Sequence, residues 1–126
     1  MIDQWSAGDG EGELVRAAIV HFRAGRLGDL LEPFLEYLRA GGEERHSSEW
    51  FGDVIYSNEF KSDRAKAMEL LELVLEAEPT ATMLARVALG PLDELMASGA
   101  QSEVREFSET HPGVRSAYEY WREHGY

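Results

Sequence analysis

DRAKAMELLELVLEAE, which occupies residues 63–78, is the stretch of sequence that decides the fold class. Its apolar side chains leave only a narrow polar stripe, which runs through Lys66, Glu69, Glu72 and Glu76. A helix that is apolar over most of its circumference must be covered on several sides. We therefore expect this segment to be the central helix of an all-α protein.

Amphipathic helical spacing continues upstream of this segment. A first apolar stripe stops near Gly25, and a second one follows almost immediately. At the start of the second stripe, Asp29 and Glu32 have the spacing of a capping box, which would put Pro33 in the first helical turn. A short third helix is predicted within residues 47–55. The short links favour antiparallel neighbours.

Proline and glycine divide the downstream half into further short helices. Pro79 begins a new element, and the pair Gly90 and Pro91 should break or kink it because proline lacks the N–H donor and clashes with the preceding turn. Gly99 has the position of a C-terminal cap. Pro112 is placed at the start of the last helix, whose apolar face ends in a tryptophan.

These elements predict an all-α fold, a compact irregular bundle of six to seven short helices. Stacked helical hairpins are the alternative, but no repeat of solenoid length is visible, which favours the bundle. A chain of 126 residues is long enough to form one hydrophobic core without disulfide bonds or structural metal ions. We expect residues 1–10 to be a flexible N-terminus and residues 11–126 to be a single helical domain.

The composition restricts the compartment and the partners. The chain has no cysteine, an acidic beginning that does not resemble a secretory signal, and no run of about 18 apolar residues, so we expect a cytoplasmic protein. Its formal charge of −12 repels nucleic acid and anionic membranes, whereas it favours encounter with a basic protein. We predict no nucleic acid and no membrane as partners.

The sequence offers little to catalysis. It contains no phosphate-binding loop, no GxSxG nucleophile elbow and no HExxH zinc motif. Glu43 and His46 form a single Glu-x-x-His pair, but a di-iron bundle requires two such pairs. We therefore expect no catalytic residue, no metal and no cofactor, and we do not expect an enzyme.

The segment LARVALGPLDELM, residues 84–96, resembles a family of small acidic bacterial proteins of unknown function. The residues that carry the resemblance are Gly90, Pro91, Leu92, Asp93, Leu95, Gly99, Pro112 and Trp121. The chain departs from the family pattern at Ser98, where histidine is frequent, and at His111, where aspartate is frequent. The resemblance implies a helical fold and leaves the function open.

A compact, acidic chain without catalytic motifs is typical of proteins that bind another protein. Our leading hypothesis is a bacterial immunity protein or antitoxin that covers the basic active site of a cognate toxin, as a monomer or homodimer. A helical adaptor that binds a peptide or subunit is the alternative, and an enzyme is the third. The candidate partner-binding residues are Glu69, Glu72, Glu76, Asp93 and Glu94.

Overall fold

The computed structural model describes residues 11–39, 51–52 and 58–124. Every regular element in these ranges is helical, which confirms the all-α prediction. The loose N-terminus predicted for residues 1–10 and the start of a helix predicted near residue 47 lie outside the described residues. The pair Glu43 and His46 also lies outside them.

The described elements are given in chain order, with most of the segment between Arg39 and Asn58 outside the described residues. The upstream elements are α1 (Glu11–Arg23), a 3₁₀ turn (Leu27–Leu30), α2 (Leu31–Arg39) and α3 (Asn58–Ser62). The downstream elements are α4 (Arg64–Ala77), α5 (Ala81–Val87), a π turn (Ala88–Leu92), α6 (Asp93–Ala97), α7 (Gln101–Ser108) and α8 (Pro112–His124).

Helix α4 is the central helix, as its apolar circumference predicts. It packs against α2, α3, α5, α7, α8 and the 3₁₀ turn. Leu70, Leu71 and Val74 are completely buried in these contacts. The helix begins where the Asp63 carboxylate accepts the backbone N–H of Lys66 at 3.2 Å, which satisfies one of the free donors of the first turn.

Aromatic rings join the upstream helices. Phe22 of α1 stacks on Phe60 of α3, with ring centroids 4.9 Å apart. Phe34 of α2 stacks on Phe51 at 5.0 Å and meets the edge of Phe60 at 6.4 Å. All four side chains are buried, so this phenylalanine cluster forms a large part of the core between the upstream helices.

Two glycines end helices in the manner that the sequence predicts. Gly25 has a φ of +78° and Gly99 a φ of +95°. The N–H that follows Gly25 donates to the carbonyl oxygen of His21 at 2.9 Å, and the one that follows Gly99 donates to that of Leu95 at 3.1 Å. These six-to-one bonds define Schellman caps, which require a left-handed residue.

We expect Gly25→Ala and Gly99→Ala each to lower the free energy of unfolding by about 1 kcal/mol, because a Cβ disfavours positive φ by about that amount. Urea denaturation midpoints would measure the loss. Gly28→Ala is the matched control, because Gly28 has no positive φ and its added Cβ would meet no atom within 4 Å. Equal midpoints for all three variants would contradict the prediction.

The Gly90-Pro91 pair produces a widened turn rather than a break. The chain passes from α5 through the π turn into α6 without leaving helical geometry. Proline in a regular α-helix clashes with the carbonyl group four residues earlier, and a π turn moves that group away. Pro91 and Leu92 are both buried, so the irregular turn is packed against the protein.

The capping box predicted from Asp29 and Glu32 does not form. The chain enters α2 through the 3₁₀ turn. The N-cap residue of this turn is Arg26, which makes no side-chain capping hydrogen bond. The Asp29 carboxylate instead lies 3.5 Å from His21 Nδ1. Pro33 does occupy the first turn of α2, in agreement with the sequence prediction.

Candidate interaction surface

The polar stripe of α4 divides into two exposed glutamates and one buried glutamate. The side chains of Glu69 and Glu76 are exposed, and neither forms an ion pair with another residue that the structure describes. Glu72 lies between them on the same stripe but is only 6% exposed. The three carboxylates therefore do not form one continuous solvent-facing surface, contrary to the expectation from helical spacing.

Glu72 is held by the beginning of α8. One carboxylate oxygen accepts the N–H of Gly113 at 3.0 Å, and the other accepts the N–H of Val114 at 2.8 Å. The first N–H groups of a helix have no partner within the helix, and the helix dipole favours a negative charge beside them. Glu72 is therefore an internal helix cap and not a residue available to a partner, which corrects its predicted role.

Helix α8 depends on this distant cap because the preceding residue cannot supply one. The ring of His111 stacks on Phe107 with centroids 3.7 Å apart, and its Nδ1 lies 3.0 Å from the Phe107 carbonyl oxygen. Gly113 leaves room for the carboxylate, since a Cβ at this position would lie 3.0 Å from both Glu72 oxygens. The absence of a side chain at Gly113 thus permits the close approach.

Asp93 and Glu94, the other two predicted partner-binding residues, also make internal contacts. The Asp93 carboxylate accepts the indole N–H of Trp121 at 2.8 Å, which connects the start of α6 with α8. Glu94 lies 3.9 Å from the ammonium group of Lys61 on α3. Both side chains are half-buried. Of the five predicted residues, only Glu69 and Glu76 combine exposure with an unpaired charge among the described residues.

Many of the positively charged side chains in the described ranges make contacts within the protein. Arg86 and Arg115 donate to backbone carbonyl groups at the C-terminal ends of α2 and α7, where the helix dipole favours a cation. Other cations form ion pairs, namely Arg23 with Glu59, Arg39 with Glu78, Arg64 with Glu103 and Lys66 with Asp63.

The ion pair between Arg23 and Glu59 is a double hydrogen bond between α1 and α3. The bond from Arg23 lowers the pKa of the Glu59 carboxyl group below its ordinary value. A lowered folded-state pKa stabilises the fold above the ordinary carboxyl pKa, and this contribution disappears as the pH falls through the folded value. Because the pair is exposed to solvent, we expect its contribution to be small.

Exposed charges without an ion pair in the described ranges are mostly negative, although Arg105 and Arg122 are positive exceptions. Besides Glu69 and Glu76, exposed carboxylates without a described ion pair include Glu106, Glu109 and Glu119. Glu106 and Glu109 line an open depression of about 390 Å³ on α7. The acidic surface, by which we mean these five glutamates, covers parts of α4, α7 and α8.

A separate, partly apolar pocket of about 210 Å³ opens where α4 ends and where α5 and α8 begin. Leu75, Pro79 and Leu84 supply its apolar wall, and Gly113 and Ser116 supply the α8 side. Sequence reasoning missed this site because its residues come from three separate segments. No local pattern indicates that the ends of these helices converge.

The described histidines take part in local packing. His21 lies beside Arg26, His124 lies against the ring of Tyr120, and His111 is stacked on Phe107. Thr110 Oγ1 lies 2.9 Å from His111 Nδ1, but this nitrogen also faces a carbonyl oxygen, which can only accept. The tautomer with its hydrogen on Nδ1 satisfies this carbonyl oxygen.

The described ranges contain no group of three or more His, Asp or Glu side chains placed to hold a metal ion. Within the same ranges, no helix combines the length and the apolar character needed to cross a bilayer.

Comparison with models of protein families, with curated proteins and with solved structures finds no match to this chain.

Proposed function

We propose that this protein is a non-catalytic protein-binding domain, of the kind found in bacterial immunity proteins and antitoxins. The observation that supports the proposal is that positive side chains mostly have partners within the described part of the protein, whereas several exposed glutamates do not. Most of the described cations contact carboxylates or helix ends, with Arg105 and Arg122 the exposed exceptions, whereas Glu69, Glu76, Glu106, Glu109 and Glu119 present unpaired negative charge to solvent. The partner is then a protein with a basic surface, such as the active-site groove of a nuclease toxin.

A negative surface of this kind acts mainly on the rate of association. The net charge of −12 attracts a basic protein before contact, and local carboxylates orient it as it approaches. Exposed ion pairs add little to affinity in water, so the acidic surface alone does not explain a tight complex. Tight inhibition also needs apolar contacts at the centre of the interface.

A helical adaptor that holds a peptide or a subunit is the alternative function. The pocket between α4, α5 and α8 favours it, because helical folds hold peptides by inserting anchor side chains into such hollows. The two functions differ in the partner. An immunity protein has one toxic partner, whereas an adaptor binds several non-toxic ones.

Affinity capture of the tagged protein from its native host, followed by mass spectrometry and a toxicity rescue test, distinguishes these functions. A single stoichiometric partner whose toxicity is relieved by this protein would support the immunity function. Several non-toxic partners would support the adaptor. Capture of nothing except the protein itself would overturn both and indicate self-association.

We expect the double variant Glu69→Lys/Glu76→Lys to associate with the captured partner about tenfold more slowly and with a weaker dependence on salt, because local charge guides the encounter. Stopped-flow measurement at several ionic strengths would test this. The matched control is Glu32→Lys/Glu36→Lys, which changes the net charge equally on exposed positions of α2. Equal slowing by both variants would show that only total charge matters.

A further inference from the structure

We propose that the pocket between α4, α5 and α8 receives one aliphatic side chain, a leucine or a methionine, from a lysine- and arginine-rich segment of the partner protein. This inference rests on the proposed protein-binding function and specifies the chemistry of the partner. The argument combines the size of the pocket, the charges beside it and the rigidity of its walls.

The size and lining of the pocket suit a single side chain. Its volume of about 210 Å³ lies below the range of about 300–1,000 Å³ that is typical of small-molecule and cofactor sites. Leu75, Pro79 and Leu84 supply apolar surface, Thr80 and Ser116 add hydroxyl groups at its edge, and no ionisable group lines it. An aliphatic side chain that leaves water for this pocket gains the free energy of apolar burial without leaving a charge unpaired.

The charges beside the pocket select a basic segment. Glu76 directly follows the lining residue Leu75, and Glu119 lies one turn beyond Ser116 on α8. Both carboxylates are exposed and lack an ion pair with any residue in the described ranges. Lysine or arginine residues on either side of the aliphatic anchor would place their charges toward these two glutamates.

The neighbouring cations Arg86 and Arg115 form no described ion pair with Glu76 or Glu119. Arg86 of α5 donates to the carbonyl oxygen of Leu38 at 2.6 Å, and Arg115 of α8 donates to that of Ser108 at 3.0 Å. Each guanidinium is therefore directed to the end of a different helix. A basic segment in the pocket would find complementary charge without displacing an internal ion pair.

The walls of the pocket are formed in advance. The Thr80 hydroxyl oxygen accepts the N–H of Met83 at 3.1 Å, which fixes the start of α5. The Glu72 carboxylate fixes the start of α8 through Gly113 and Val114. A site whose walls are already ordered pays less conformational entropy on binding, so an anchor side chain contributes more of its burial to affinity.

The test uses a short fluorescein-labelled peptide that has one central leucine between pairs of lysines, and a second peptide with glycine in place of the leucine. Fluorescence polarisation measures affinity, and amide chemical shifts locate the contact. Ser116→Arg introduces bulk and positive charge at an exposed position of the pocket. Ser102→Arg, at an exposed position of α7, is the control with the same change in charge.

We expect the leucine peptide to shift the amide signals of Leu75, Leu84 and Ser116, and to bind about tenfold more tightly than the glycine peptide. Ser116→Arg should weaken its binding about tenfold, while Ser102→Arg should have a much smaller effect. Circular dichroism and the amide spectrum establish that both variants are folded.

Equal affinity for the two peptides, or equal effects of the two arginine variants, would overturn the pocket inference. Absence of binding by the leucine peptide would overturn it as well. None of these results bears on the proposed function, which the capture and rescue experiment tests separately. If capture yields no partner while the peptide binds as expected, the preference of the pocket for an aliphatic side chain is supported, while the immunity and adaptor functions both fail.

Discussion

Replacement of Glu72 by alanine is expected to lower the free energy of unfolding by about 2–4 kcal/mol, because it leaves one buried and one partly buried N–H group without an acceptor. The loss arises at the start of α8, which packs against α4, α5, α7 and the π turn. Chemical denaturation with two-state analysis would measure it. A loss below about 0.5 kcal/mol, typical of an exposed glutamate, would contradict the cap.

Glu72→Gln is the conservative control. Its amide oxygen can still accept one N–H, but its NH₂ group faces the other donor, so we expect about half of the alanine effect. Glu69→Ala and Glu76→Ala are controls from the same stripe. Both side chains are exposed, so each of these changes should alter stability by less than about 0.5 kcal/mol.

A double-mutant cycle connects the cap to Gly113. On its own, Gly113→Ala brings a Cβ to 3.0 Å from both Glu72 oxygens and should weaken the two hydrogen bonds. Once Glu72 is alanine there is no carboxylate to displace, so Gly113→Ala should cost little more. Additive losses would show that the two residues act independently.

Much of the fold is predictable from short sequence patterns, namely the positions of glycine and proline and the spacing of apolar residues. Gly25 and Gly99 end helices through left-handed geometry, and Pro112 begins α8 at the position where proline is tolerated. The apolar circumference of residues 63–78 correctly indicated a central helix. Each of these features depends on residues within a few positions of one another, which a sequence pattern can express.

The candidate site depended on distant contacts and was predicted less well. Glu72 lies on a polar stripe, which suggests exposure. In the structure Gly113, 41 residues later in the chain, donates its N–H to Glu72, so this part of the stripe is covered. Asp93 similarly meets Trp121, 28 residues later. Helical spacing identifies the residues that share a face, but it does not show which other helix covers that face.

The same limit explains the missed pocket. Leu75 and Leu84 have the spacing of ordinary core residues, and the sequence gives no reason to expect an opening between them. The opening exists because α4 ends before Pro79 while α8 begins beside the same turn. Its position depends on the packing of helix ends, which is a property of the tertiary fold.

The phenylalanine cluster carries the largest expected effect on stability. Phe34 is completely buried and contacts both Phe51 and Phe60, so it joins two parts of the cluster. We expect Phe34→Ala to lower the free energy of unfolding by about 3–5 kcal/mol through lost burial and the cavity it leaves. Total stabilities of domains are about 5–15 kcal/mol, so denaturation and hydrogen exchange should both detect this loss.

Phe34→Leu is the control, because it keeps most of the apolar contact and loses the ring–ring term of about 1 kcal/mol. Similar losses for leucine and alanine would show that the ring geometry, rather than burial, stabilises the cluster.

The Phe34→Ala variant also tests whether a loss of stability alone changes peptide binding, because Phe34 does not line the pocket. At a temperature where Phe34→Ala is folded, its affinity for the leucine peptide should equal that of the wild type. Glu72→Ala should weaken binding even in the folded state, because it loosens the start of α8 that forms one wall.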